Sequence, residues 1–258
     1  MLPAVRHIWG MAFTLYDVMR VAAIAAALAT CVLLNRRQGI SSSKTLLIAA
    51  VCVPLSIGGA RLLNAIEYGA TLTNWYAEFL RDPGSSIYGA LVACVVAVVA
   101  MTRALRIPTL RFLDSGGPAI ALGEGVSRIG CFCAGCCYGK PWNGPWAVVF
   151  PPNSFAAMDQ RYRGLLGSGT AHSLAVHPVQ LYGVVLMALL TWGLVWYFRR
   201  PHTDGTVFWL LLIAYGAYRL AITPFRTEVL ASMEAFSLVF IAAGILGLLW
   251  SNRTTLTT

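Results

Sequence analysis

Charge is what this sequence lacks. Of its 258 residues only 11% are Asp, Glu, Lys or Arg, against about 25% in an ordinary soluble domain, which excludes a water-soluble globule. Disorder is excluded by the same composition, since 58% of the chain is hydrophobic. A basic stripe is missing too. The net charge is +9, but the basic residues stand singly or in pairs at the ends of apolar runs, as in Arg36-Arg37, Arg199-Arg200 and the Arg103, Arg106, Arg111 set. That distribution argues against a nucleic-acid partner and is how a membrane protein sets its orientation. No internal repeat or low-complexity tract stands out, which speaks against an inverted-repeat transporter. The N-terminus lacks the basic region, short apolar run and small-residue cleavage site of a secretory signal, so the first apolar segment reads as a retained span.

What the chain does have is long apolar runs. A span needs about 20 mostly apolar residues, and seven segments approach this, near 13–34, 46–66, 87–102, 112–134, 179–198, 206–222 and 232–250. The third is short, and the fourth is interrupted by Gly116-Gly117-Pro118, Gly123 and Gly125. The pattern predicts an all-α integral membrane protein of about seven transmembrane helices, forming a single helical domain over 1–258. Alternate connections carry Arg36, Arg37, Lys44, Arg103, Arg106, Arg111, Arg199, Arg200 and Arg253, while the opposite side has fewer basic residues in longer connections. Short basic loops stay in the cytoplasm, so the N-terminus is expected outside and the C-terminus inside. The 135–178 region is then extracytoplasmic. Its prolines and glycines form loops and interfacial elements rather than a span, and Trp142 and Trp146 suit the headgroup level.

Ionisable residues fall within or beside the spans: Arg20, Arg61, Arg128 and Arg219, with Asp17, Asp114, Glu67 and Glu124. Each costs about 2.5–3.5 kcal/mol to insert, so each points to an internal pair or to function. Asp17 and Arg20, at helical spacing, read as a structural pair. Arg128 lies near the end of the glycine-rich stretch Gly123 to Gly130, and Arg219 follows Tyr215-Gly216-Ala217-Tyr218. Arg226 lies two turns beyond Arg219, past Pro224. Arginines converging on one cavity suit phosphate oxygens, which guanidinium groups bind in bidentate fashion. A phospholipid headgroup is the nearest phosphate.

Seven cysteines are present, and Cys131, Cys133, Cys136 and Cys137 lie close together. A metal site, a disulfide and small packing residues are all open readings. Four thiols so close in sequence do not readily close on one ion, although Cys133, Cys136 and Cys137 can share a helical face. Cys31, Cys52 and Cys94 read as small hydrophobes. His177-Pro178 opens the fifth span, either as an ordinary helix start or as a general base or headgroup donor.

Ser127-Arg128-Ile129-Gly130-Cys131-Phe132 through Tyr138-Gly139 resembles the signature of the prolipoprotein diacylglyceryl transferases. Gly59-Ala60-Arg61-Leu62, Tyr88-Gly89-Ala90-Leu91, Asp114, His177-Pro178-x-Gln180-Leu181-Tyr182, Tyr215 through Arg219 and Phe225-Arg226 follow in order. The resemblance covers most of the chain. It implies a bacterial plasma-membrane enzyme, multi-pass, with its site facing the outer leaflet and with neither cofactor nor metal. Such an enzyme moves the diacylglyceryl group of phosphatidylglycerol to the lipobox cysteine of a preprolipoprotein, and glycerol phosphate leaves. The implied partners are phosphatidylglycerol, the preprolipoprotein and membrane lipids. By position, Arg128 and Arg219 stabilise the departing phosphate, while Arg61, Arg226, Gly89, Gly130 and Gly139 bind substrate. His177, Gln180 and Tyr182 shape the cavity mouth, and Tyr88 and His177 are both candidates for the catalytic base. The chain departs from the family pattern at Tyr88 (histidine), Ala90 (glycine), Cys131 (asparagine), Cys136 (glutamate), Thr223 (an acid) and Phe13 (tyrosine). These departures keep three alternatives open: a paralogue with another acceptor, a non-catalytic lipid-binding protein on the same fold, and a thiol–disulfide protein built on the four cysteines.

Overall fold

A computed structural model describes residues 6–8, 11–67, 87–167, 169, 171–227 and 231–255. It opens with a hairpin of β1 (Arg6–Ile8) and β2 (Met11–Phe13), in which His7 faces Ala12. Eight helices follow among the described residues: α1 (Leu15–Arg37), α2 (Ser42–Glu67), α3 (Ile87–Ala104), α4 (Thr109–Ala134), α5 (Phe155–Tyr162), α6 (Val179–Phe198), α7 (Thr206–Ile222) and α8 (Ala231–Thr255). Every segment expected to span is a helix, and five of these are long and apolar enough to cross a membrane. The chain is a multi-pass membrane protein.

Two local expectations change, and the reading of 135–178 as loops and short elements gains a helix. The hairpin adds two short strands to an architecture read as all-helical. The 135–178 region contains a helix, α5, whose N-cap Ser154 accepts a hydrogen bond from the backbone N–H of Ala157. The expected interruption of the fourth segment is absent, because α4 runs unbroken through Gly116, Gly117 and Pro118. In apolar surroundings an opened backbone has no water to bond, so the helix persists where propensity alone would break it.

The chain forms two compact units, one of Cys31–Leu113 and one of Met1–Thr30 with Asp114–Thr258. In the first, α2 packs on α3 through a glycine contact. A Cβ on Gly89 would stand 2.1 Å from the Gly59 carbonyl oxygen, so the backbones meet where no side chain fits. Ile48, Cys52, Ala97, Ile107 and Phe112 fill the core of this unit, with Cys31 packed against them. Asn35 is fully buried and donates to the Thr45 hydroxyl at 3.2 Å.

The larger unit depends on Asp114, whose side chain has no exposure. Its Oδ2 accepts from the Gly205 N–H at 2.6 Å and its Oδ1 from the Phe208 N–H at 2.9 Å. These two donors belong to the start of α7, where helix N–H groups have no partners of their own. A carboxylate there also meets the positive end of the helix dipole. Asp114 is therefore a structural cap reaching 91 residues along the chain. Asp114→Ala would strand both buried donors, at about 1–3 kcal/mol each. It is expected to lower the thermal unfolding temperature in detergent markedly, with Asp114→Asn intermediate because it retains one acceptor.

Candidate active site

The site is built at the end of α4. Gly135 and Cys137 both take left-handed backbone conformations, at φ 73° and 53°, and turn the chain back on the helix. The Cys136 N–H donates to the Cys131 carbonyl at 3.1 Å, closing that turn. The chain then threads between two other segments. Gly139 N–H donates to the His177 carbonyl at 3.1 Å, His177 N–H donates to the Lys140 carbonyl at 3.1 Å, and Lys140 N–H donates to the Phe225 carbonyl at 2.8 Å. Only glycine fits at the crossing. A Cβ on Gly139 would stand 2.6 Å from the His177 Cβ and 2.7 Å from the Phe225 oxygen.

His177 sits in an aromatic box. Its ring stacks on Trp142, 4.3 Å between centroids and 8° from parallel, and meets the Phe225 ring edge-on at 5.2 Å. Its Nδ1 lies 3.2 Å from the Tyr182 hydroxyl. Burial holds the imidazole below its ordinary pKa of 6.5, because loss of water disfavours the charged ring. His177 is therefore neutral at neutral pH. Gln180 is buried and donates its Nε2 to the Cys136 carbonyl at 2.7 Å, while its Oε1 has no hydrogen-bond partner.

The arginines gather around Tyr218. Arg128 donates to Glu124 Oε1 through Nε at 3.0 Å and a terminal nitrogen at 2.5 Å, one turn apart on α4. A Cβ at Gly183 would lie 2.8 Å from the Tyr218 hydroxyl and 3.3 Å from Arg128 Cγ, so the three residues meet. Tyr218 is within electrostatic reach of Arg128, Glu124, Arg219 and Arg226. Arg226 borders a cavity of about 40 Å³ shared with Cys137, Tyr138, Asp159 and Thr227. Its Nε is buried without a hydrogen-bond partner. Opposite, Asp159 accepts from the Tyr138 hydroxyl and from Arg163 Nε, the latter at 3.0 Å. Partial burial pushes the Asp159 carboxyl upward, but those two donors outweigh it and hold the group below its ordinary 3.8.

The larger unit thus brings together Arg128, Arg219, Arg226, His177, Gly139, Gln180 and Tyr182. Gly130 instead faces α1, where an added Cβ would stand 2.9 Å from Met19 Cβ. Its lack of a side chain serves helix packing, as that of Gly89 does. Arg61 is exposed on α2 and, with Tyr88 and Gly89, belongs to the other unit. The Tyr88 side chain lies outside the described residues. Asp17 has Arg20 within electrostatic reach, as the helical spacing suggests, but takes its hydrogen bonds from Thr14. Its Oδ2 accepts from the Thr14 N–H at 3.0 Å and hydroxyl at 2.7 Å, while Arg20 lies over the Tyr16 ring. Sequence reasoning missed the cavity wall of Cys137, Tyr138, Asp159 and Thr227, and the Trp142 stack. Trp142 was readable as an aromatic at an interface, but nothing local pairs it with a histidine 35 positions away.

A family model for prolipoprotein diacylglyceryl transferase matches residues 3–250. The chain belongs to the prolipoprotein diacylglyceryl transferase family. Similar proteins carry that activity in their names. A phosphatidylglycerol–prolipoprotein diacylglyceryl transferase of Clostridium tetani (strain Massachusetts / E88) is 30% identical over 254 residues, 95% of this chain and 96% of that protein. The Finegoldia magna protein of the same name (strain ATCC 29328 / DSM 20472 / WAL 2508) is 28% identical, over 94% of this chain and 91% of its own. One from Nitrosomonas europaea (strain ATCC 19718 / CIP 103999 / KCTC 2705 / NBRC 14298) is 30% identical over 66% of this chain and 59% of its own length. In this chain the Asp159 pairing fixes the sign of a pH dependence. A carboxyl with a lowered folded pKa stabilises the fold above its ordinary pKa and ceases to do so as pH falls through the folded value. Wild type is therefore expected to unfold at a higher temperature than Asp159→Asn at pH 6, with the gap closing in acid below pH 3.8. Thermal unfolding in detergent across that pH range measures it.

Proposed function

We propose that this chain transfers the diacylglyceryl group of phosphatidylglycerol to the cysteine thiol of an exported preprolipoprotein. The observation that carries the reading is the gathering of Arg128, Arg219 and Arg226 about Tyr218, with one buried guanidinium donor left unsatisfied at Arg226. A buried donor without a partner calls for an explanation, and a phosphate oxygen supplies one. In the reaction the acceptor sulfur forms a bond to the glyceryl carbon and the bond from that carbon to the phosphate oxygen breaks. The thioether remains, and glycerol phosphate departs with the electron pair. Charge gathers on the departing phosphate, where fixed cations out of water stabilise it most. Arg226 holds the phosphate, and Arg128 and Arg219 supply the surrounding positive field. Glu124 keeps Arg128 aligned.

The thiol proton passes to His177, neutral at working pH and oriented by Trp142 and Tyr182. Tyr88, with an ordinary phenolic pKa of about 10, is the poorer base. In this reading the chain crosses the bacterial plasma membrane seven times, with its N-terminus outside, its C-terminus in the cytoplasm and the site open to the outer leaflet. The excess of basic residues on alternate short connections supports that orientation.

The test uses purified protein, phosphatidylglycerol labelled in its acyl chains and a lipobox peptide with a free cysteine. Labelled peptide is the expected product. Arg226→Ala and Arg128→Ala are each expected to cost about 10²–10³ in rate, with the protein still folded. Bound phosphatidylglycerol without labelled peptide would replace the transferase by a lipid-binding protein or a different acceptor. Unchanged activity in Arg226→Ala would remove that residue from phosphate binding. The rate is also expected to fall as pH drops through the His177 pKa, below 6.5, and His177→Gln is expected to abolish that inflection while lowering the rate about 10²-fold.

A further inference from the structure

Beyond the arginines, α4 ends in a feature that the transfer reaction does not use. The Sγ atoms of Cys131, Cys136 and Cys137 all lie within 4.8 Å of one another. The reversal of the chain at Gly135 and Cys137 produces this: Cys131 occupies the last helical turn, and Cys136 and Cys137 fold back over it. The turn is secured on both sides, by the Cys136 N–H on the Cys131 carbonyl and by Gln180 Nε2 on the Cys136 carbonyl. Cys133 is left out of the cluster. All seven thiols of the chain are free.

We propose that Cys131, Cys136 and Cys137 form a binding site for a thiophilic d¹⁰ cation such as Zn(II). At Zn–S distances of about 2.3 Å, tetrahedral sulfurs stand about 3.8 Å apart, so the thiols need close by roughly an ångström at most. Thiolates select soft or borderline cations over Mg(II) and Ca(II). Three of them leave one position open, for solvent or a further ligand. Charge favours occupancy as well. Three thiolates and Zn(II) carry one net negative charge, and Arg128 and Arg226 are both within electrostatic reach of Cys137. Burial is graded for entry: Cys131 is buried, Cys136 half-buried and Cys137 exposed. Binding releases the thiol protons to solvent and changes no oxidation state. The proposal stands whether or not the chain transfers diacylglyceryl groups, because its readout is binding.

The experiment takes the full-length, thiol-reduced protein in detergent, adds Zn(II), removes the excess and measures retained metal by elemental analysis. Wild type and Cys133→Ser are expected to retain about one Zn(II) per chain, as a single three-thiolate site requires. Cys131→Ser and Cys136→Ser are expected to lose it. Co(II) in place of Zn(II) is expected to give thiolate charge-transfer absorption with the same dependence on variant. A measurement without substitutions guards against misfolding: Zn(II) should protect Cys131, Cys136 and Cys137 from alkylation, and leave Cys133 reactive. No retained metal in reduced wild type would overturn the proposal. So would equal loss in Cys133→Ser, or uniform alkylation of all four thiols with Zn(II) present.

Discussion

The crossing at Gly139 is the contact on which the site depends. Three segments far apart in sequence exchange backbone hydrogen bonds there: the segment leaving α4, the segment entering α6 and the stretch after α7. Backbone bonds hold their geometry better than long side chains, because each fixes two chain positions at once. His177, Phe225 and Arg226 are consequently delivered to one place by main-chain pairing rather than by packing alone. Val176 then anchors the same ribbon to Val148 and Pro141, and Phe150, Tyr138 and Ala156 close a small apolar core beneath it.

Charge in this chain is scarce and each buried charge is put to a defined use. Asp114 satisfies the opening N–H groups of α7, so its cost of burial is offset by two hydrogen bonds that the helix end needs anyway. Arg128 meets Glu124 on its own helix, which keeps a guanidinium in apolar surroundings without an isolated charge. Arg226 differs, with a buried nitrogen left over. Among the described residues Asn35 Oδ1, Gln160 Nε2 and Gln180 Oε1 share that condition, and Arg226 is the charged member of the four.

The family positions divide along the same line. Gly89 and Gly130 are glycines because helix backbones approach there, against Gly59 and Met19 respectively. Gly139 combines both roles, being required by packing and placed at the site. Cys131 and Cys136, which the resemblance in sequence sets against polar positions, fall together with Cys137 into one thiol cluster. The three thiols therefore set the local chemistry of the α4 terminus as a unit.

Much of the helical plan was legible in the residues themselves. The segments 179–198 and 206–222 coincide with α6 and α7, because long apolar runs between polar breaks leave the backbone no alternative to a helix in apolar surroundings. Arg128, Arg219, Arg226 and His177 could be singled out from charge or histidine where apolar sequence predominates, and the larger unit brings them near one another. Local signals failed where partners are distant. Propensity at Gly116-Gly117-Pro118 argued for a break that the apolar surroundings of the helix override. No spacing rule joins Trp142 to His177, Tyr138 to Asp159, or Asp114 to Gly205. By itself the sequence determined the membrane class, the helices and the ionisable residues that a membrane protein retains only for cause, since those follow from transfer energies residue by residue. Only the tertiary structure decided that Arg226 buries an unpartnered Nε and which thiols meet, because both depend on how distant segments of the chain fold together.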